Sequence, residues 1–316
     1  MRVAVLGAGA VGAYYGSRLA GGGADVSLIA RGRHLDALRA DGLTVVEPER
    51  TSRHRLPATG DPADVGPVDV VLFCVKSFDT DAAARRMGPL LGADTAVLSL
   101  QNGIDNEDRI AAIIGPDHVI GGAAYILGSI REPGVIDAAG PRRIVIGELR
   151  PGPPSARILE IVKVGNRGGL RVDAVEDVRV AKWEKYTLLV AFSAMTAAIR
   201  LPIGAIREAS AAAAMLRAIM SEVWSVGRAI GVPLADDLVD RQMELLLSQA
   251  DEATTSLYHD LVTGHRMELE ALQGATIRLG RETGVATPST EAAYAILQPW
   301  AMRNERPAAD RRPVSA

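Results

Sequence analysis

The most specific chemistry in this chain lies at its start. Gly7-Ala8-Gly9-Ala10-Val11-Gly12 closes the β-branched run Arg2–Leu6 and opens a helical stretch. In that setting the first glycine permits a tight turn, the second lets the backbone approach a pyrophosphate, and the third lets helix and strand pack closely. The helix N-terminus adds free N–H groups and a partial positive charge, so Gly7, Ala8, Gly9, Ala10, Val11 and Gly12 are assigned to a bound dinucleotide. An ordinary glycine-rich turn is the alternative. The end of the next apolar run, Asp25–Ile29, indicates which dinucleotide. A carboxylate there would accept from the ribose hydroxyls of NAD, but the chain continues Ala30-Arg31-Gly32-Arg33. The Arg31 guanidinium can pair with a 2′-phosphate and stack on adenine, which favours NADPH/NADP+. The alternative is a solvated loop cation.

Two further residues could move a proton. Lys185 shares a helical stripe with Val178, Ala181, Leu188, Phe192 and Ile199. A cation on a core-facing stripe needs a task or a partner, and desolvation would lower its pKa and ease proton donation. A lysine snorkelling at the helix edge is the competing explanation. Lys182, in line with Val178, Tyr186 and Leu189, is not excluded by helical phase. Glu268 shares a face with Leu272, Ala275 and Leu279, where a carboxylate would need a partner; Glu270 points about 200° away and should be solvated. Lys76 and Asn102 each follow an apolar run, the place where open α/β sheets bind ligands, although loop polar residues also occur there. Ser256 alone would read as a helix N-cap.

The elements that must carry these groups come in two sets. Strand and helix patterns alternate from Arg2 onward: Asp25–Ile29, His34–Ala40, Val70–Val75, Asp79–Met87, Thr95–Leu100, Asp105–Ile114, His118–Ile120, Val135–Ile136, Arg143–Ile146, Ser155–Val164 and Leu170–Val172. This order predicts a doubly wound parallel sheet. Beyond about Asp173 only helices are expected, over Val178–Ile199, Ala205–Ile230, Ala235–Ala250, His265–Thr283 and Pro288–Met302. The fold class is therefore α/β, with an all-α C-terminal domain. We expect domains at 1–174 and 175–302, and a disordered tail at 303–316.

Composition narrows the classes. The 316 residues are 48% hydrophobic and only 4% aromatic, with a net charge of −3 and a single cysteine. A lone Cys74 gives no internal disulfide and no thiolate zinc site, and the five scattered histidines form no metal motif. No basic block suggests a nucleic-acid partner. No apolar run reaches the ~20 residues a membrane span needs, and no signal-peptide pattern precedes Gly7. A cytoplasmic enzyme with a small-molecule substrate is expected, as monomer or homodimer.

Taken together, Gly7–Gly12, Arg31, Cys74-Val75-Lys76, Gln101-Asn102-Gly103, Lys182-Trp183-Glu184-Lys185 and Met267–Gly274 make the chain similar to the ketopantoate reductase (2-dehydropantoate 2-reductase) family. The resemblance implies a Rossmann-type first domain, a helical second domain, and NADPH-dependent reduction of 2-dehydropantoate or a close 2-oxo acid to the 2-hydroxy compound. It implies two catalytic residues, Lys185 as the proton donor and Glu268, which would lie near the nicotinamide ribose and the substrate and could pair with Lys185. Lys76, Asn102 and Glu268 would contact the cofactor, and Asn102, Lys185, Ser193 and Ser256 the substrate. It also marks departures. Positions at which the family carries substrate-facing asparagines hold Leu189, Ser193, Ile203 and Ala253, and Gln273 stands where asparagine is usual. A site that loses amide groups loses discrimination for hydroxyl-bearing substrates, so a less polar 2-oxo acid or ketone comes into range. Two other functions remain open from the sequence: a β-hydroxyacid or opine-type dehydrogenase, and a non-catalytic NADP-binding sensor.

Overall fold

The computed structural model describes residues 1–306. By its contacts the chain divides into two units, Met1–Ala181 and Lys182–Ala316; the sequence had suggested a boundary at 174, and this division falls inside a helix instead.

The strands of the first unit are β1 (Arg2–Leu6), β2 (Asp25–Ile29), β3 (Leu43–Val46), β4 (Thr51–His54), β5 (Ala58–Thr59), β6 (Val68–Phe73), β7 (Leu91–Ser99), β8 (Val119–Glu132), β9 (Val135–Glu148) and β10 (Arg171–Ala174). Its helices are α1 (Ala10–Gly21), α2 (Gly32–Asp41), α3 (Thr80–Arg86), α4 (Asn106–Ile114) and α5 (Ala156–Arg167), and α6 (Val178–Ile199) crosses into the second unit. One sheet runs β4-β3-β9-β8-β7-β6-β1-β2-β5, with β10 on β9. From β5 through β8 the neighbours are parallel.

β1 lies between β2 and β6. The chain winds from β1 to β2 and then crosses back to β6, so the winding direction reverses beside β1. The crevice at the C-terminal ends of strands flanking such a reversal is where this architecture binds ligands. Residue alternation explains the burial of both sheet faces. Val3 and Val5 of β1 join Leu28, Leu72 and Leu98 against Tyr14, Tyr15, Leu19, Ile158 and Ile161 of α1 and α5. Ala4 and Leu6 join Val71, Phe73 and Val97 against Ala84 and Ile110 of α3 and α4. Period-2 alternation with apolar residues at both phases fits a sheet covered by helices on both sides.

All described regular elements of the second unit are helical: the rest of α6, then α7 (Ile203–Glu208), α8 (Ser210–Ala229), α9 (Leu238–Leu247), α10 (Ser256–Thr263), α11 (Ala275–Thr283) and α12 (Pro288–Glu305). Leu257, Leu261, Met267, Leu269, Ala197 and Leu297 form part of its core.

Several elements differ from expectation. The single helix expected over Ala205–Ile230 breaks at Ala209, whose φ of −101° and ψ of 103° are extended. Arg303–Glu305 belong to α12 rather than to a tail, and the remainder of that expected tail, 307–316, lies outside the described residues. The short runs at His118–Ile120, Val135–Ile136 and Arg143–Ile146 are, apart from His118 in the turn Pro116–His118, pieces of β8 and β9, a 14-on-14-residue antiparallel ribbon. The early part of β8, Gly121-Gly122-Ala123-Ala124, has no strand-forming side chains; the partner strand supplies the pairing that local propensity does not. The edge strands β4 and β5, the strand β3 beside β4, and helix α10 also escaped sequence reasoning.

Candidate active site

The glycine loop has the geometry its residue types require. Gly7 adopts φ +92°, and a Cβ there would stand 2.7 Å from the Val75 nitrogen and 2.8 Å from the Cys74 carbonyl carbon. Its N–H and that of Ala8 both donate to the Ile29 carbonyl, at 3.1 and 2.9 Å, tying the loop to the end of β2. A Cβ on Gly12 would meet the Gly7 oxygen at 2.6 Å and Val5 Cγ1 at 2.8 Å, so α1 lies tight on β1. Gly9 differs: nothing stands within 4 Å of a Cβ there. It is the N-cap of α1, brings no side chain to the helix end, and no acidic residue follows in the first turn. An open approach, uncapped N–H groups and no competing negative charge fit a pyrophosphate. Cys74 supports the loop from behind. Burial pushes its thiol up to about 12, so it stays protonated at neutral pH and is no nucleophile.

Arg31 ends β2 as the N-cap of α2. Its side chain is 87% exposed and pairs with Asp79 at 2.7 Å. An exposed pair of this kind contributes at most about 1 kcal/mol, so it leaves the guanidinium available to an incoming phosphate. Lys76 is exposed and begins the turn Ser77–Asp79 after β6, while Asn102 is half-buried in the loop after β7. Gly7–Gly12, Arg31, Lys76 and Asn102 are thus brought together along the C-terminal edge of four adjacent parallel strands, β7-β6-β1-β2.

Sequence reasoning assigned no role to the groups beneath that edge. Gln101 Nε2 donates to the Val75 carbonyl at 2.9 Å and to Thr80 Oγ1 at 2.8 Å, and Ser99 Oγ donates to Gln101 Oε1 at 3.3 Å. Thr80 Oγ1 donates to Asn106 Oδ1 at 3.2 Å, and Asn106 Nδ2 donates to the Asn102 carbonyl at 2.8 Å. Ser99, Gln101, Thr80 and Asn106 are all buried. A glutamine directly after an apolar strand was the available signal, since an amide entering a core needs partners.

In the second unit Lys185 is half-buried. The buried face of α6 carries Trp183, Tyr186, Thr187, Val190, Ala194 and Ala197, while Ala181, Lys182, Lys185, Leu188 and Leu189 lie on its half-buried side. Lys185 therefore sits beside the core rather than on the core-facing stripe expected for it, and Lys182 shares that side. Leu189, four residues on, lies on the same side. Ser193 is fully buried; its hydroxyl donates to the Val190 carbonyl at 3.2 Å and accepts from Gln273 Nε2 at 3.0 Å. Ile203 is also fully buried, and its N–H donates to the Ala253 carbonyl at 3.0 Å, so these two positions are neighbours.

Glu268 is buried at 7% exposure, but not on a helix. Residues 265–269 are non-helical, so the helical stripe that related Glu268 to Leu272 and Ala275 is corrected. The three consecutive residues Met267, Glu268 and Leu269 are all buried, which no single helix face would do. Asn304 Nδ2 reaches the carbonyls of His265, at 3.0 Å, and Asp260, at 3.2 Å, anchoring the start of this segment to the end of α10. The chain then enters α11 through a π turn, Glu270–Gly274, closed by Gly274 N–H to the Leu269 carbonyl at 3.0 Å. Tyr186 donates to the Leu272 carbonyl at 2.5 Å, and Gln273 donates to the Val190 carbonyl at 2.9 Å, locking the turn to α6. Such turns often mark functional sites. Glu270 is exposed, as expected. Ser256 is exposed too, and the cap of α10 is Thr255, which accepts from Tyr258 N–H at 3.3 Å, not Ser256. Among the described residues no group of three or more His, Cys, Asp or Glu could hold a metal ion, and no helix is long and apolar enough to cross a membrane.

A doubly wound sheet with an uncapped glycine loop at its winding reversal, followed by a helical unit, defines the class: a two-unit, Rossmann-type dinucleotide-dependent oxidoreductase. Family-level comparison narrows it. Residues 3–151 match the family model described as "Ketopantoate reductase PanE/ApbA", and residues 177–301 match its C-terminal counterpart. The chain is 34% identical to a 2-dehydropantoate 2-reductase of Halobacterium salinarum, over 91% of this chain and 95% of that protein. It is 30% identical to one of Mesorhizobium japonicum, over 94% and 97%. Among solved structures, a PanE/ApbA family ketopantoate reductase from Ralstonia eutropha superposes with a TM-score of 0.89 at 33% identity, covering 97% of this chain and all of the other. The chain belongs to the ketopantoate reductase family.

Proposed function

We propose that this protein reduces 2-dehydropantoate, or a closely related 2-oxo acid, to the 2-hydroxy acid with NADPH. The observation that carries this is family membership across both units, joined to a β2 end that offers Arg31 and no carboxylate. NADPH, when bound, supplies the hydride that reaches the carbonyl carbon. Gly7–Gly12 hold the pyrophosphate, Arg31 takes the 2′-phosphate, and Lys76 and Asn102 approach from the neighbouring strand ends. Lys185 holds the proton delivered to the carbonyl oxygen, and its ammonium stabilises charge developing there. Glu268, a buried carboxylate, orients the nicotinamide ribose side of the site. Asn102 and Ser256 contact the substrate. Ser193 is fully enclosed, with its hydroxyl bonded to Val190 and Gln273, so it holds Gln273 rather than a substrate.

In this scheme residues 1–174 bind the cofactor and 175–302 carry the proton donor. The half-buried Leu189, on the side of α6 that holds Lys185, makes that side less polar than an amide would. The lone, protonated Cys74 suits a reducing compartment, so we place the enzyme in the cytoplasm, as monomer or homodimer. The test is NADPH oxidation with 2-dehydropantoate for the wild-type protein and Lys185→Ala. Turnover should fall by at least about a hundredfold, the scale of lost general-acid catalysis, with NADPH binding unchanged. Unchanged turnover would remove Lys185 from the mechanism.

A further inference from the structure

We propose that Thr80 is the pivot of a buried positioning relay, Ser99–Gln101–Thr80–Asn106, which sets Lys76 and Asn102 for the cofactor. The inference rests on the NADPH-binding function proposed above and assigns that site residues which touch neither cofactor nor substrate.

The relay has a fixed direction. The Ser99 hydroxyl donates to the Gln101 carbonyl oxygen, and the Gln101 amide donates to Thr80. The Thr80 hydroxyl donates to the Asn106 oxygen, and the Asn106 amide donates to the main chain at Asn102. Each donor has one acceptor ahead of it, so no amide can flip without orphaning a buried group. The Gln101 amide has a second N–H, and this one donates to the Val75 carbonyl.

Two members of the relay, Gln101 and Asn106, grip main chain next to a candidate cofactor residue. The Val75 carbonyl belongs to the peptide that joins Val75 to Lys76, so holding it fixes the plane from which Lys76 departs. Lys76 then opens the short turn closed by Asp79 N–H to the Lys76 carbonyl at 2.8 Å. The Asn102 carbonyl lies on the peptide leading to Gly103, whose φ is +108°. Holding it fixes the Asn102 main chain just before the loop bends. The loops after β6 and β7 are therefore not placed independently. The Gln101 amide joins them directly, and the Thr80 hydroxyl at the start of α3 adds a second link, through Asn106 to the Asn102 carbonyl. Backbone held in this way is pre-ordered, and misplacement of a binding group by about 1 Å can cost on the order of a hundredfold.

Thr80→Val removes the hydroxyl at nearly constant volume. The expected result is an NADPH dissociation constant raised at least about tenfold, measured by fluorescence titration without substrate, with KM for NADPH rising in step and kcat falling less. Thr80→Ser restores the hydroxyl and should return the dissociation constant to within about threefold of wild type. Asn106→Ala, at the far end of the relay, provides a second variant should Thr80→Val fail to fold; it should weaken NADPH binding in the same direction. If wild-type and Thr80→Val proteins bind NADPH equally, even with a lowered melting temperature, the relay is a stability feature only and the proposal is overturned. Equal binding by Asn106→Ala, where Thr80→Val does not fold, overturns it too. If the wild-type protein does not bind NADPH at all, the proposed function falls and the relay with it.

Discussion

Two glycines of one loop should respond oppositely to the same added methyl group. In Gly12→Ala the new Cβ would lie 2.6 Å from a backbone oxygen, Gly7 O, and 2.8 Å from Val5 Cγ1 in the sheet core. Neither neighbour is the free end of a flexible side chain. Overpacking of this kind costs about 1–3 kcal/mol, and alanine regains up to about 1 kcal/mol of helix propensity over glycine. With both contacts below 3.0 Å the overpacking lies in the upper half of that range, about 2–3 kcal/mol, so the net loss is roughly 1–2 kcal/mol and the melting temperature falls by about 2–8 °C for a unit of this size. In Gly9→Ala nothing stands within 4 Å, and φ of −76° suits any L-residue. Loss of a favoured N-cap glycine costs about 0.5–1 kcal/mol, and a stiffer unfolded chain returns about 0.4–1 kcal/mol, so stability should barely change. The Gly9 methyl does occupy the space through which a pyrophosphate approaches the N–H groups of α1. NADPH affinity should fall at least about tenfold, or 1.4 kcal/mol. Thermal melts by circular dichroism and NADPH titration by fluorescence measure both quantities. A Gly9→Ala protein that binds NADPH as wild type does would refute the pyrophosphate cradle. A Gly12→Ala protein as stable as wild type would refute the packing argument.

Other predictions follow from single features. Arg31→Ala should weaken NADPH at least about tenfold while changing NADH little, and Asp79→Asn should alter stability by less than about 1 kcal/mol because the Arg31–Asp79 pair is exposed; equal effects on the two nucleotides would contradict the 2′-phosphate assignment. Glu222 accepts from the N–H groups of Ser289 and Thr290 and from the Thr290 hydroxyl, at 2.7–2.8 Å, so Glu222→Ala should destabilise the second unit by roughly 1–3 kcal/mol in denaturant titration. Burial lowers the pKa of His34 and of His54 below the usual histidine value. His34 Nδ1 accepts from Gly134 N–H at 3.1 Å, a bond only the unprotonated nitrogen can make. Below about pH 6.5 the unfolded chain therefore binds more protons than the folded one, and stability declines until the folded-state pKa values are passed. His34→Gln should flatten the acid side of a melting-temperature profile; an unchanged profile would show that His34 does not contribute.

What could be read from the sequence was local. β1, the glycine loop and α1 were legible because a strand, three glycines and a helix follow one another within twenty residues and each obeys its own period. α6 was legible from end to end, Val178–Ile199, because it is one long apolar helix. The β8–β9 ribbon was not, because the glycine-rich start of β8 is held by a partner strand. The π turn at Glu270–Gly274 was invisible for a similar reason: it differs from a helix by one residue of register, and its carbonyls are taken up by Tyr186 from another helix. That shift misplaced Glu268 on a helix face while leaving its burial correctly anticipated. Lys185 stood out in the sequence, but its stripe proved to be the half-buried side of α6, a distinction that depends on which helices pack against it. Gln101 carried a legible signal, an amide following a buried strand, but its partners lie on two other elements and emerge only in three dimensions.

The central claim is tested most directly by steady-state kcat/KM with purified protein, for NADPH and NADH, against 2-dehydropantoate and a panel of less polar 2-oxo acids, with the product identified by mass spectrometry. The account predicts reduction to the 2-hydroxy acid, NADPH preferred over NADH, and activity abolished by Lys185→Ala. No oxidation of NADPH with any 2-oxo acid by a protein that binds it would contradict the account.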